Sequence, residues 1–454
     1  MPDRPNVLFV LTDQMRAHAM GCAGNQQVQT PTIDRFASNA VQFERAYSPD
    51  PVCSPTRGSL LTGQYPHRHG VVHNHLRLET DGETLAHCLQ DEGYATGYVG
   101  KWHLDGTGKP GEVPPGERRQ GFEYWRGFNR GHRHLDGHPH FDENGDVDWE
   151  TGYQPALQTD MALDFVADYA GVDPFFCFLS WGPPHTPFEA PSRYSELYDP
   201  ESLRLRPNVP ESADTPQLRR DLAEYYALVS SLDEQLDRLL TGLERHGVAE
   251  DTIVVFASDH GEMLGSLGRY RKGYPFEESV RVPLLVRYPE QFDAHSTDAV
   301  VNLLDLPPTL LDLCDARVPD RMQGRSLRPL LDGATVDGFD ETYIEGQIPF
   351  DETWRALRTE RYLIVVDRGL QVTHLYDTDE DPYQMDNLAD DPGAEDVRSA
   401  LFERLAEQFD RYGDGYFSAR NFRRVEFPDE DLLEPRGDIF APYGGKTDGS
   451  GDAQ

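Results

Sequence analysis

Lysine is almost missing from this chain. It occurs four times in 454 residues, as Lys101, Lys109, Lys272 and Lys446, and 79 acidic residues face 42 Lys plus Arg for a net charge of −37. Nothing basic is clustered enough to neutralise a phosphate backbone, so nucleic acid is excluded as a partner. Long apolar runs are missing as well. No stretch approaches the ~20 residues that cross a bilayer, so no membrane partner is expected. An apolar, strand-like run opens at Asn6, which leaves no room for a charged-then-apolar leader and predicts a cytoplasmic protein. Cysteine is sparse: Cys22, Cys53, Cys88, Cys177 and Cys314 are scattered, odd in number and without metal spacing, so reduced thiols are expected. What is present, 38% hydrophobic and 11% aromatic residues, suffices for a large core. An acid-rich, lysine-poor surface suits concentrated salt, where self-repulsion is screened, and predicts a halophilic protein. A hyperthermophile would more often enrich lysine along with glutamate.

Four apolar runs of strand length, at 6–12, 94–99, 174–181 and 252–258, lack the alternation of a half-exposed strand. Such runs predict central parallel strands covered on both faces. Helical spacing at 84–92, 159–169 and 217–245 supplies the covering layers. The expected fold is α/β, a large, mostly parallel central sheet sandwiched by helices. Beyond about 338 the pattern changes to short antiparallel strands at 342–345, 354–359, 362–366 and 374–376, then a helix carrying Val397, Leu401, Leu405 and Phe409. This divides the chain into a main domain at 1–337, a smaller antiparallel sheet plus helix at 338–416, and an extension at 417–454. The last ten or so residues of that extension are expected to be disordered.

Each buried run ends in polar residues. Asp13-Gln14 follows the first, Gly100-Lys101-Trp102-His103 the second, Pro183-Pro-His185-Thr-Pro187 the third and Asp259-His260 the fourth. Carboxyl ends of parallel strands are where open α/β sheets gather their chemistry. Two carboxylates brought together there are costly unless a cation holds them. Cys53 stands four residues before Arg57 on a predicted short helix that Pro55 helps to start and Gly63 closes. A thiol beside a helix N-terminus and a guanidinium favours thiolate, and the same potential attracts tetrahedral anions. Taken singly, Asp13 reads as a helix cap, Cys53 as a buried thiol and His185 as a loop histidine. His67 and His69 read as loop residues without chemistry. The segment 105–158 reads as loop, with His132, His134, His138 and His140 too irregular for a metal site and assigned to solvated loop beside a cleft. The run 268–273 reads as a mobile basic loop.

Cys53-Ser-Pro-Thr-Arg57, followed by Leu60-Leu-Thr-Gly63, resembles the signature of the type I sulfatases of the alkaline-phosphatase superfamily. Further blocks follow in that family's order, over roughly residues 5–415. The resemblance implies an alkaline-phosphatase-like fold and hydrolysis of a small sulfated substrate as a sulfuric ester. It implies that a maturation enzyme converts Cys53 to formylglycine. It assigns catalysis to Cys53, Arg57, His103 and His185, and substrate binding to Lys101, His185 and Lys272. A divalent metal, Ca²⁺ before Mn²⁺, would be held by Asp13, Gln14, Cys53, Asp259 and His260. Gln14 departs from the family's commoner Asp-Asp pair, and His260 stands where many members carry Asn. Both changes lower the anionic ligand count and keep Mn²⁺ in play. In the implied reaction the hydrated aldehyde attacks sulfur with Arg57 steadying it. His185, with Lys272, protonates the leaving alcohol, and His103 is the base when sulfate is expelled. Three alternatives stand beside it. They are a phosphonate monoester or phosphodiester hydrolase of the same superfamily, a non-catalytic anion-binding relative with unmodified Cys53, and a metal-free hydrolase using Cys53 with His103. Glu277, Arg281 and the segments 282–286, 305–311 and 324–327 are expected to hold the fold.

Overall fold

The computed structural model describes residues 4–106, 111–135, 139–148, 151–347 and 353–415. Lys109, His138, Lys446 and the extension expected at 417–454 lie outside the described residues. Among the described residues eleven strands form the larger sheet: β1 (Asn6–Asp13), β2 (Val41–Tyr47), β3 (Ala95–Lys101), β4 (Tyr124–Phe128), β5 (His140–Phe141), β6 (Val147–Asp148), β7 (Phe175–Pro184), β8 (Thr252–Ser258), β9 (Arg281–Val282), β10 (Leu284–Arg287) and β11 (His295–Asn302). Their spatial order is β11-β2-β10-β8-β1-β7-β3-β4-β5-β6, with β9 on β2. The central run β8-β1-β7-β3-β4 is parallel throughout, and antiparallel pairings appear toward both ends.

Every residue of β1, β7 and β8 is buried, as an apolar run without alternation requires. Alternate side chains still go to opposite layers. Val7, Phe9 and Leu11 join the core on one face, and Leu8 and Val10 join the other. The second layer is closed by the helix Pro216–Arg245, which packs Leu222, Tyr225, Val229, Leu232, Leu236 and Leu239 inward. That stripe is the one the 217–245 spacing predicts. The helix expected from 159 begins earlier, at Gln154, with Pro155 in its first turn, where a missing N–H costs nothing. The single return strand expected at 282–286 is two strands, β9 and β10, interrupted at Pro283, whose ring cannot donate to a ladder.

A second sheet contains β12 (Glu341–Gly346), β13 (Trp354–Thr359), β14 (Tyr362–Asp367) and β15 (Val372–Asp377), all antiparallel in sequence order. The helix Glu395–Tyr412 follows, burying Leu401, Leu405 and Phe409. This sheet is joined to the larger one by a shared core in which Ile344, Trp354 and Leu363 meet Tyr47, Phe276 and Val300. Among the described residues no helix is long and apolar enough to cross a membrane, and all five cysteines are free.

Candidate active site

The four central strands end level with one another. Thr12 of β1 pairs with Ser258 of β8, Asp13 with Pro184 of β7, and Gly100 of β3 with Ser180 of β7. Gly100 allows that last approach, because a Cβ there would lie 2.1 Å from the Ser180 carbonyl oxygen, and its φ is +100°. Residues just past these ends are therefore thrown into one place although they are up to 250 positions apart.

The helix Cys53–Thr62 brings its N-terminus to the same place. Val52 is extended, Cys53 is the first helical residue and Gly63 closes the helix in the left-handed region at φ +63°. Cys53 is 1% exposed. Its Sγ lies 3.2 Å from His260 Nε2 and 3.8 Å from Asp13 Oδ1. One ligand atom each from Asp13, Cys53, Asp259 and His260 lies within 4.8 Å of the others. His260 Nδ1 donates to the Gly261 carbonyl at 2.9 Å, which leaves the Nε2 lone pair facing the sulfur and the carboxylates. Two buried carboxylates, an imidazole lone pair and a sulfur converging without exposure fit a divalent cation.

Cationic groups enclose this cluster. Arg57, four residues after Cys53, places Nη2 3.3 Å from Asp13 and 3.0 Å from Asp259, and its Nη1 donates to Ser180 Oγ and the Lys101 carbonyl. Lys101, wholly buried, reaches Asp13 Oδ2 at 2.5 Å. Lys272 donates to Gln14 Oε1. Burial alone would raise the Asp13 carboxyl, but Lys101 and Arg57 hold it well below the usual carboxylate range. Burial and Asp13 likewise push the Cys53 thiol upward, yet Lys101 and Lys272 bring it down to about 7. Burial, Lys272 and Lys101 depress His185, and burial, Lys101 and Arg130 depress His103, so both rings rest neutral. Each can then take up a proton from solvent when an anion enters beside it.

All the residues singled out from sequence, Asp13, Gln14, Cys53, Arg57, Lys101, His103, His185, Asp259, His260 and Lys272, come together at this one sheet end. Neither ring nitrogen of His103 has a hydrogen-bond partner among the described residues, and the thiol faces His260 instead, so no Cys53–His103 pair forms. Three expectations need correction. His132 and His134 are not solvated: the His132 ring stacks on His185 at 3.6 Å and 5°, its Nε2 is 3.3 Å from Lys101 Nζ, and His134 Nε2 meets the His185 carbonyl at 2.8 Å. His140 is also fully buried, against Gln158. Irregular spacing argued against a metal site, but a loop folded over a cleft needs no periodicity to place a ring. The 268–273 loop is tied down, with Met263 N donating to Arg271 O, Gly265 N to Arg269 O and Arg271 N to Glu262 Oε1. His67 and His69 belong to a short helix, Pro66–His69, and each is engaged, His67 with Glu345 and His69 with Ser59.

Sequence reading missed Ser180, which receives Arg57, and Asn74, whose side-chain oxygen accepts the Ser54 N–H at 2.9 Å. It also missed a role for Glu262, two residues beyond the Asp259-His260 block, which holds Gln14. Glu262 had a signal: an acid three residues past Asp259 at a buried strand exit.

A family model described as Sulfatase matches residues 5–316, and one described as N-sulphoglucosamine sulphohydrolase, C-terminal, matches residues 265–411. An ulvan-active sulfatase of Formosa agariphila is 34% identical over 466 residues, spanning 100% of this chain and 89% of that protein. The solved structure of yidJ from Bacteroides fragilis is 29% identical, with a TM-score of 0.84 over 92% of this chain and 97% of its own. The phosphonate monoester hydrolase of Agrobacterium radiobacter, 24% identical with a TM-score of 0.77 over 90% and 96%, shares the fold.

Proposed function

The chain belongs to the sulfatase family, and from that premise we propose that it hydrolyses a sulfate monoester at the Cys53 pocket. The observation that carries this reading is the meeting of Cys53 Sγ with His260 and Asp13 inside a ring of Arg57, Lys101 and Lys272. Three sulfate oxygens repel a nucleophile, and the alkoxide leaves poorly, so cationic groups fixed before substrate arrives lower the barrier most.

Sulfatases of this family use a divalent metal and a formylglycine. In our reading Asp13, Gln14, Asp259 and His260 hold the cation, Ca²⁺ before Mn²⁺. Formylglycine made from Cys53 by a maturation enzyme supplies the nucleophilic hydroxyl, and the cation adds charge to the sulfate pocket. Arg57, tied to both aspartates, orients residue 53 and offsets charge developing on it. Lys101 and Lys272 bind sulfate oxygens. His185, neutral in the empty pocket, takes up a proton from solvent as the anion binds beside it and gives that proton to the departing alkoxide. His103, with both nitrogens unengaged, takes the proton when the site resets. The ulvan-active relative makes sulfated saccharides the first alcohols to screen. A cytoplasmic location and a requirement for concentrated salt are proposed with it, from the five free cysteines and the −37 charge.

The deciding experiment compares turnover of an aryl sulfate with that of a phosphate diester and a phosphonate monoester, with mass spectrometry of the Cys53 peptide. Sulfate turnover dominating, with sulfur lost from residue 53, is the expected result. Dominant phosphonate or diester turnover would move the chain to the neighbouring reaction class, and persistent thiol in the native host would remove the nucleophile.

A further inference from the structure

Gln14 is an unusual choice for a hard-cation ligand, because only one end of an amide can ligate. Its oxygen can approach a cation and its NH₂ cannot, and the two ends exchange by a simple flip. Which end faces the pocket is decided by what the other end touches. Gln14 Nε2 lies 2.5 Å from Glu262 Oε2. A carboxylate only accepts, so the NH₂ must be at that end, and the oxygen is turned to Lys272, whose ammonium acts in turn on Asp13, Cys53 and His260.

Glu262 is itself immobilised. It is wholly buried, and its Oε1 accepts the backbone N–H groups of Leu264 at 2.9 Å and Arg271 at 2.5 Å. The Gln14 backbone is equally fixed. It sits in the left-handed region at φ 72°, its N–H donates to Asp259 Oδ1 at 3.0 Å, and its carbonyl accepts the Tyr225 hydroxyl at 3.0 Å. With both ends of the contact rigid, the amide has one orientation.

Resting on the cation reading above, we propose that Glu262 is a positioning residue that keeps the Gln14 amide oxygen turned to the cation, which is what allows an amide to serve where the family more often has aspartate. Nothing in the reaction itself uses Glu262.

The test is a double-mutant cycle read as divalent-cation affinity, with Ca²⁺ and Mn²⁺ each measured by equilibrium dialysis and metal analysis on the purified chain, independent of turnover. Glu262→Gln keeps the shape and an acceptor for Leu264 and Arg271, but its new NH₂ meets that of Gln14 and turns the amide over. Affinity is expected to fall about 10- to 100-fold, the usual cost of losing a residue that orients a ligand. Gln14→Glu alone sets two carboxylates against each other and also weakens binding. Combined, the new carboxylate at 14 accepts from the new amide at 262 and still offers oxygen to the cation. The double variant is therefore expected to return to within about threefold of wild type, a coupling well beyond additivity.

Glu262→Gln binding as tightly as wild type, or a double variant no better than Glu262→Gln, would overturn the proposal and leave the sulfatase reading standing. If Glu262→Gln does not fold, the double variant must still bind more tightly than Gln14→Glu, and the reverse order overturns it. Wild type binding neither cation would remove the cation reading and this inference together.

Discussion

Among the described residues two clusters gather acids with a histidine, their ligand atoms within 4.8 Å of one another: Asp13/Cys53/Asp259/His260 and His67/Glu345/Asp414. They differ in what is left over. In the second, donors and acceptors close on one another. Arg355 Nε donates to Asp414 Oδ2 at 2.6 Å, the Tyr343 hydroxyl to the same oxygen at 2.5 Å, Gln347 Nε2 to Glu345 at 3.1 Å, and His67 engages Glu345 and the Tyr412 carbonyl. Asp50, the neighbour without a partner, is pushed well above the usual range by burial and Glu345, and so stays neutral. In the first cluster three cations, Arg57, Lys101 and Lys272, face two aspartates, and both ring nitrogens of His103 are without a partner among the described residues. A buried charge cluster that balances internally is built to hold elements together. One that keeps cationic and acceptor capacity in reserve is built to receive something.

Breaking the open cluster should cost activity and little stability. Cys53→Ala is expected to lower turnover on the order of 10⁴-fold or more, since the nucleophile itself is gone. The melting temperature should stay within about 2 °C, because few atoms are removed. Steady-state kinetics and a thermal melt check both halves, and near-wild-type turnover would refute the nucleophile. Breaking the closed cluster should do the reverse. Arg355→Leu leaves the Asp414 and Glu345 carboxylates buried without their guanidinium, a loss of about 3–5 kcal/mol by chemical denaturation. Adding Asp414→Leu should restore part of that, because it removes one of the stranded charges.

Acid should separate the histidines next. Burial holds His69 and His73 at about 3 and His134 at about 4, against an ordinary value of about 6.5. Between pH 6.5 and about 4 the unfolded chain therefore binds protons that the folded chain refuses, and stability falls as pH falls. Each such histidine adds up to about 1.4 kcal/mol per pH unit to that slope. His67, two residues from His69, has the opposite sign. Burial opposes it, but Glu345 raises it, so its contribution is full below the unfolded value and is lost as pH rises through the folded one. Unfolding midpoints across pH should flatten on the acid side in His69→Gln, whereas His67→Gln should leave the acid slope unchanged and remove the fall in stability that His67 adds as pH rises above about 6.5.

How much of this was legible beforehand follows from the physics of each part. Strands such as β8 matched the expected run because full burial writes itself as an unbroken apolar string. The strand exits were readable for the same reason, since the first polar residue after such a string, Asp13 or Asp259, must sit at the sheet's edge. The closed cluster was invisible. His67, Glu345 and Asp414 come from three distant segments with no periodicity, and only the fold brings them together. The histidines of 132–140 were misread because loop spacing carries no record of what the loop covers.

The smallest predicted effect belongs to His132, and it probes how far the open cluster extends. A lysine ammonium can only donate, so the 3.3 Å contact from Lys101 Nζ makes His132 Nε2 an acceptor and the ring neutral, with its proton on Nδ1. That neutral face lies flat against His185, which favours positive charge on His185 at the moment a proton is needed and also fixes the distance between Lys101 and the acid. His132→Phe keeps the stack and loses the acceptor, and His132→Ala loses both. If the hydrogen bond to Lys101 is what matters, the two variants should lose kcat/KM equally, by about tenfold, roughly one charge-assisted hydrogen bond. If the stack matters, the Phe variant should stay near wild type and the Ala variant alone should fall, with its pH profile shifted to lower pH as His185 becomes harder to protonate. A loss beyond about 100-fold in both would exceed what positioning through Lys101 and His185 can supply, and would put His132 in direct contact with the substrate.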